Sequence, residues 1–215
     1  MLRYLVALLP SALKIALLRA RGAKIGRQCR IGLSVIDAES IELGDNVQIA
    51  SFNLLHRLDR LVMKTGSRMN GFNWITGART GSFFVGRNSA ITRFHFFEAS
   101  ASVFIGDNTI IAGRSSHFFT HGISSTNLDD MRPIHIGPWC YVGTSSRFTP
   151  GSAIAEGTFV GMGSVVTKPF DDQYVLLAGA PAAVRRRLSP TDIYFARDFL
   201  PHDHHPPGYD GTGQE

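Results

Sequence analysis

From Ile136 the chain reads IGPWCY VGTSSR FTPGSA IAEGTF VGMGSV V, with an apolar leader at every sixth place: Ile136, Val142, Phe148, Ile154, Val160 and Val166. A small residue follows four of these leaders, at Gly137, Gly143, Ala155 and Gly161. Another small residue recurs at the fifth place, at Cys140, Ser146, Ser152, Thr158 and Ser164. The same frame is led by Ile105 and Ile111, and returns in VGRNSAI, LGDNVQIA and IGRQCRIG. Ile25 and Leu43 stand three such units apart, as do Ile31 and Ile49. A period of six suits neither a helix, which repeats at about 3.6 residues, nor an alternating strand, which repeats at about two.

The period suits a short strand followed by a corner. Three units make one triangular coil, and each leader points inward onto the leader of the next coil. Gly or Ala after the leader permits the tight turn, and the fifth side chain must be small to fit the narrow interior. The expected fold class is therefore all-β, a parallel β-helix of hexapeptide repeats, flanked by N- and C-terminal α-helices. Cys29 and Cys140 both fall at the fifth place, which reads as core filling. Two distant cysteines make no disulfide framework or CxxC metal pattern, and they suit a reducing, cytoplasmic setting. The middle of the chain, residues 51–81, holds few clean hexads, and the pattern alone assigns it no coil structure.

Charged residues are only 18% of the chain, and 22 Lys plus Arg against 17 Asp plus Glu give a net charge of +5. A mild basic excess suits an anionic partner such as a phosphorylated cofactor or a membrane surface. Without a basic helix or a nucleic-acid motif, no nucleic-acid partner is expected. Residues 1–24 form a separate segment in which Leu2, Leu5, Val6, Leu9, Leu13, Ala16 and Leu17 share one helical face. Two readings stand: a helix that caps the domain, or an interfacial helix giving peripheral contact with the inner face of a membrane. Lys14 argues against a transmembrane span, and with Arg19 and Arg21 against a secretory signal.

The segment IHIGPWCYVGTSSRFTPGSAIAEGTFVGMGSVVTK, followed by LLAGAPAAVRRRL, resembles the hexapeptide-repeat acyltransferases. The stretch ITRFHFFEASASVFIGDNTIIAGRSSHFFTHG is similar to the branch that serves capsule, exopolysaccharide or O-antigen synthesis. The resemblance covers residues 25–188. It implies a left-handed β-helix, acetyl-CoA as co-substrate with no metal, a saccharide acceptor, and a homotrimer with the active site between neighbouring chains. O-acetylation of a sugar leads; N-acylation of an amino sugar is the alternative chemistry. Two further alternatives use the same fold: a metal enzyme similar to γ-class carbonic anhydrase, and a non-catalytic trimeric scaffold. Residues 189–200 read as a C-terminal helix with a Ser189 cap and Pro190 at its first position. Residues 201–215 read as a disordered tail.

The frame breaks after His117 and resumes at Ile136, so residues 118–133 are expected to leave the coil as a loop. Chemistry concentrates on loops carried by rigid scaffolds. A sugar hydroxyl needs a base, and an imidazole near its ordinary pKa of about 6.5 can take the proton. The resemblance assigns that role to a histidine at the loop mouth, and Phe119-Thr120-His121 matches it. His117 falls at a leader position, which predicts an inward side chain that supports His121 or the acceptor. His95 and Glu98, one coil earlier, either face the same cleft, to bind the acceptor or orient His121, or lie at an exposed corner. Trp139 and Tyr141 should point outward, to stack on a sugar or the pantetheine arm or to pack at the trimer interface. The resemblance places the coenzyme along Thr144, Met162, Thr167 and Lys168. It also brings Lys168 and Arg186 to phosphates; a family arginine is replaced by Ala183, for which Arg185 or Arg187 is the expected substitute.

Overall fold

The chain winds into about eight parallel coils; this computed structural model describes residues 6–123 and 125–197. Most strands are two to four residues long because each occupies only one side of a triangular turn. The first face is built from Trp74–Thr76, Phe96–Glu98, His117–Phe119, Arg147–Phe148 and Val165–Val166. The second comprises Ser82–Val85, Ser102–Ile105, Ile134–Ile136, Ala153–Ile154 and Pro169–Phe170. The third runs from Arg30–Ile31 through Gln48–Ile49, Arg68–Met69, Ala90–Ile91, Ile110–Ile111, Tyr141–Val142 and Phe159–Val160 to Val175–Ala178. Two long strands, Val35–Leu43 and Leu54–Met63, turn the corner from the first face to the second without interruption.

Parallel pairing stacks the leaders. Ile31, Ile49, Met69, Ile91, Ile111, Val142 and Val160 are successive partners on the third face, each no more than 1% exposed. The fifth-place residues Cys140, Ser146, Ser152, Thr158 and Ser164 are fully buried, as the repeat requires. Burial pushes the Cys140 thiol up to about 12, which makes it an inert filler. Cys29 is partly buried and directs its sulfur to the Gly44 carbonyl.

Residues 51–81 are regular coils whose extra length sits at one corner. From the second face to the third, leaders stay six apart: Leu43 to Ile49, Met63 to Met69, Val85 to Ile91, Ile105 to Ile111. From the first face to the second the spacing exceeds six: eight from Leu55 to Met63, ten from Ile75 to Val85, eight from Phe97 to Ile105 and eighteen from Phe118 to Ile136. Arg57 and Arg79 take φ values of 56° and 65° at this corner, bending the added residues outward.

Two columns fill the interior beside the first face. Phe97, Phe118 and Phe148 stack with centroids 4.3 and 4.9 Å apart. Beside them runs a polar ladder in which each side chain accepts the backbone N–H of the next coil. Ser34 Oγ receives Asn53 N–H, Asn53 Oδ1 receives Asn73 N–H, and Asn73 Oδ1 receives His95 N–H. His95 Nδ1 then receives Ser116 N–H, and Ser116 Oγ receives Ser146 N–H.

Helix α1, Ser11–Ala20, closes the open end of the first coil with Ile15 and Leu18 buried. The Lys14 side chain is buried too, and its ammonium donates to the carbonyls of Ala7 and Gly32. At the other end Ala183–Arg187 pairs antiparallel with Val175–Ala178. Helix α2 is described only as Ile193–Ala196, with Asp192 as its N-cap residue. Ser189 and Pro190 precede it in a turn, so the expected cap and first position are displaced. The expected ends at 1–5 and 198–215, including the tail, lie outside the described residues.

Candidate active site

The loop leaves the coil at the corner between the first and second faces. His121–Gly122 pairs antiparallel with Asp130–Met131, so the loop base is a short hairpin. The chain returns to the second face at Ile134–Ile136. His121 is the first residue past the strand His117–Phe119 that stands clear of the coil, with its side chain 43% exposed. Its Nε2 lies 3.8 Å from Asp129 Oδ1 across the hairpin. Sequence reasoning missed Asp129; only its place in the acidic LDD run of the loop marks it.

Thr120, directly before His121, is fully buried. Glu98 holds it from the coil below: Glu98 Oε2 accepts Thr120 N–H at 3.1 Å and Thr120 Oγ1–H at 2.9 Å. Glu98 Oε1 accepts Ser100 N–H, and Thr120 Oγ1 accepts Ala101 N–H. Thus Glu98 acts on His121 through Thr120, fixing the backbone from which the imidazole projects.

His117 does not point inward. Phe118 occupies the leader position, fully buried, and His117 lies on the outer surface of the first face as the register partner of Arg147. Seven residues, not six, separate Ile111 from Phe118; the extra one falls before Ser115, where Gly113 takes φ 68°. His117 meets Phe96 and Phe119 edge to face, at 6.0 and 6.2 Å between centroids.

His95 does the opposite of what an acceptor-facing residue would do. It is 1% exposed, inside the coil, at the ladder position between Asn73 and Ser116. Thr92 Oγ1 lies 2.8 Å from its Nε2. Since Nδ1 accepts from Ser116, Nε2 carries the proton; this tautomer follows from the network. Burial first, and the nearby His117 second, lower its pKa to about 4. His95, His117 and His121 therefore do not converge, and among the described residues no group of three or more His, Cys, Asp or Glu is placed to hold a metal ion.

Trp139 and Tyr141 point outward, but at the far edge and on the third face, away from His121. The chain's own C-terminal segment covers them. Tyr141 stacks on Phe159 and meets Tyr194, whose hydroxyl donates to the Cys140 carbonyl. The Arg197 guanidinium lies 5.0 Å from the Trp139 ring. Self-packing accounts for both residues in this chain.

The residues assigned to the coenzyme line the C-terminal half of the stack. Thr144 and Met162 are one above the other at the corner between the third and first faces, where Gly163 N–H donates to the Thr144 carbonyl. Ser115, Ser145 and Gly163 keep that corner small. Met162 is 77% exposed. Thr167 and Lys168 are exposed at the next corner, where Lys168 to Asp172 and Ala182 to Val184 enclose an open depression. Arg185 donates to the Ala178 carbonyl, whereas Arg186 is exposed on the terminal hairpin.

No protein-family model matches the chain. It is 31% identical over 104 residues to the galactoside O-acetyltransferase of Escherichia coli strain K12, covering 46% of this chain and 51% of that protein. It is 27% identical over 176 residues to the bifunctional protein GlmU of Acinetobacter baumannii strain AYE, covering 70% of this chain and 37% of the other. The chain thus spans about half, or less, of the length of the curated relatives it matches. A hexapeptide-repeat-containing acetyltransferase of Vibrio cholerae O1 biovar eltor, solved in complex with acetyl coenzyme A, superposes with a TM-score of 0.50 at 20% identity, covering 87% of this chain and 84% of that one. The chain has the left-handed β-helix of the hexapeptide-repeat acyltransferase family. In that fold the extruded hairpin at His121 sets an exposed imidazole 3.8 Å from a carboxylate beside a rigid coil corner; in an earlier coil His56 Nδ1 lies 3.3 Å from the buried Asp37 Oδ2.

Proposed function

We propose that the protein transfers the acetyl group of acetyl-CoA to a sugar hydroxyl, in the synthesis of a surface polysaccharide. One observation carries this reading: His121 projects from a coil corner that Glu98 and Thr120 lock, with Asp129 across the hairpin. The His121 imidazole takes the acceptor hydroxyl proton as the oxygen attacks the thioester carbonyl. The tetrahedral centre collapses, the carbon–sulfur bond breaks, and the imidazolium returns the proton to the leaving thiolate. Asp129 Oδ1 lies 3.8 Å from the imidazole Nε2 across the hairpin. The E. coli relative supports acetyl transfer to oxygen, and the V. cholerae fold relative supports acetyl-CoA as donor.

The donor fits the residues present. A thin pantetheine arm suits the corner kept small by Ser115, Ser145 and Gly163 beside Thr144 and Met162. Lys168 and Arg186, both exposed, are the cations available to its phosphates. The family's homotrimer would bring this corner of one copy to the His121 hairpin of the next. Helix α1 exposes Leu13, and Leu8 just before it is exposed as well, which supports peripheral membrane contact; no helix of the described residues is long and apolar enough to cross a membrane.

The test is steady-state kinetics of His121→Ala with acetyl-CoA and a saccharide panel. Turnover should fall by about two to four orders of magnitude, the usual worth of a positioned base. The melting temperature should barely move, because the side chain is exposed. Near-normal turnover in a folded His121→Ala protein would refute the mechanism, and product analysis separates O- from N-acetylation.

A further inference from the structure

The first face does not end at His117. On the coils before it, the outer surface is aromatic and open. Phe52, Phe72 and Phe94 stand in one column at the corner with the third face, 59%, 49% and 48% exposed. Their rings stack with centroids 5.1 and 4.9 Å apart. Trp74, 52% exposed, lies on the face itself, in register with Phe96 and then His117. All three phenylalanines take positive φ, 67°, 66° and 60°. Positive φ is the regular conformation of this corner, shared by Ser115, Ser145 and Gly163 in later coils. At the coil of His117 the column changes character, continuing as Ser115, Ser145 and Gly163. The corner is thus divided: aromatic before the candidate base, small after it.

Hydrogen-bonding side chains lie among these rings. Thr76 follows Trp74 by two residues on the same strand, so both face outward, and His56 is the register partner of Thr76 one coil earlier. Charged groups border the rings: Arg79 pairs with Asp37 and Glu39, His56 Nδ1 lies 3.3 Å from Asp37 Oδ2, and the Arg114 guanidinium lies 5.9 Å from the Phe94 ring centre. Exposed aromatic rings beside a few hydrogen-bonding groups make a surface for a polyhydroxylated ligand. Coils lie about 4.8 Å apart, so three steps from the coil of Phe52 to that of His117 span roughly 14 Å. That is longer than a single pyranose ring.

Resting on the acetyltransferase reading above, we propose that this half of the first face is an acceptor track, and that the acceptor is a glycan chain of several residues held by Trp74, Phe72, Phe94, Thr76 and His56. The chain would cross the face obliquely, from the Phe72 and Phe94 edge past Trp74 and Thr76 to its target hydroxyl at His121 on the opposite edge. A monosaccharide would leave the track empty.

Binding of the full-length protein to immobilised glycans graded from single sugars to oligomers of several units tests this, with acetyl-CoA binding followed separately by thermal shift. Wild type should retain oligomers and not the matching single sugars. Trp74→Ala and Phe72→Ala should each weaken oligomer binding about tenfold or more, roughly the worth of one aromatic contact. Both variants should keep the wild-type circular dichroism and acetyl-CoA shift. The proposal is overturned if wild type binds no glycan, if single sugars bind as well as oligomers, or if both variants bind like wild type. It is also overturned if Phe72→Ala separates an oligomer into monomers, which would assign the face to contact between copies. Loss of the acetyl-CoA shift in wild type would sink the transferase reading while leaving Trp74-dependent glycan binding standing.

Discussion

His95 should make this β-helix sensitive to acid, and the effect can be sized. Its imidazole sits in the polar ladder with Nδ1 accepting Ser116 N–H, which requires that nitrogen to be unprotonated. In the folded state its pKa is lowered from 6.5 to about 4. In the unfolded chain it titrates near its ordinary value. Between those two pH values the unfolded state binds a proton that the folded state refuses, so stability falls as pH drops. The shift corresponds to about 3 kcal/mol, absent above about pH 7 and complete below about pH 4. The comparison is wild type against His95→Asn, since Asn73 already fills the equivalent ladder position in the preceding coil. At neutral pH the variant should be less stable by about 1–3 kcal/mol, because a smaller side chain leaves space. As pH falls, the wild-type advantage should shrink by about 3 kcal/mol and can reverse. Urea unfolding followed by circular dichroism across that range gives the difference, in which carboxylate titrations shared by both proteins cancel. Parallel stability curves for the two proteins would refute the argument.

Phe118→Ala should cost about 3–5 kcal/mol in the same assay, because it removes the middle ring of the buried stack between Phe97 and Phe148; a smaller loss would mean the coils collapse onto the gap. Lys14→Ala leaves two carbonyls without their donor, at about 1–3 kcal/mol for each that stays dry. Amide exchange should therefore quicken in α1 while the later coils stay protected. Glu98→Gln should lower kcat by up to about a hundredfold with the KM for acetyl-CoA unchanged, since it loosens Thr120 behind His121 and touches no donor site. Equal falls in kcat and in melting temperature would make Glu98 merely structural.

The hexad showed the fold directly, because inward stacking forces a leader every sixth residue wherever a corner is tight. It went silent over residues 51–81, where eight residues separate Leu55 from Met63 and ten separate Ile75 from Val85. Those insertions reset the phase while leaving the other two corners untouched. A single inserted residue before Phe118 was enough to turn His117 from inside to outside, just as a slip of one reverses a strand's faces. His95 was misread for a related reason. It stands at a fifth place counted from Ile91, where small residues are the rule, and Thr92 at its side gives the ring a partner. His121 was legible because the frame break itself marks a loop. The contact with Asp129 was not, since a hairpin's closure depends on register that no local pattern encodes.

The gathering of nearly all the extra length at one corner has an implication for how such a chain can change. A solenoid bonded coil to coil tolerates added residues only where they do not have to stack. Here the corner between the first and second faces ranges from Leu55–Met63 to Phe118–Ile136 while the coils on either side keep their pairing. Variation in that corner can therefore alter the reach and chemistry of the His121 hairpin without any compensating change in the interior. The molecule separates what must be inherited intact from what can be rewritten, and the boundary between the two is a single edge of the prism.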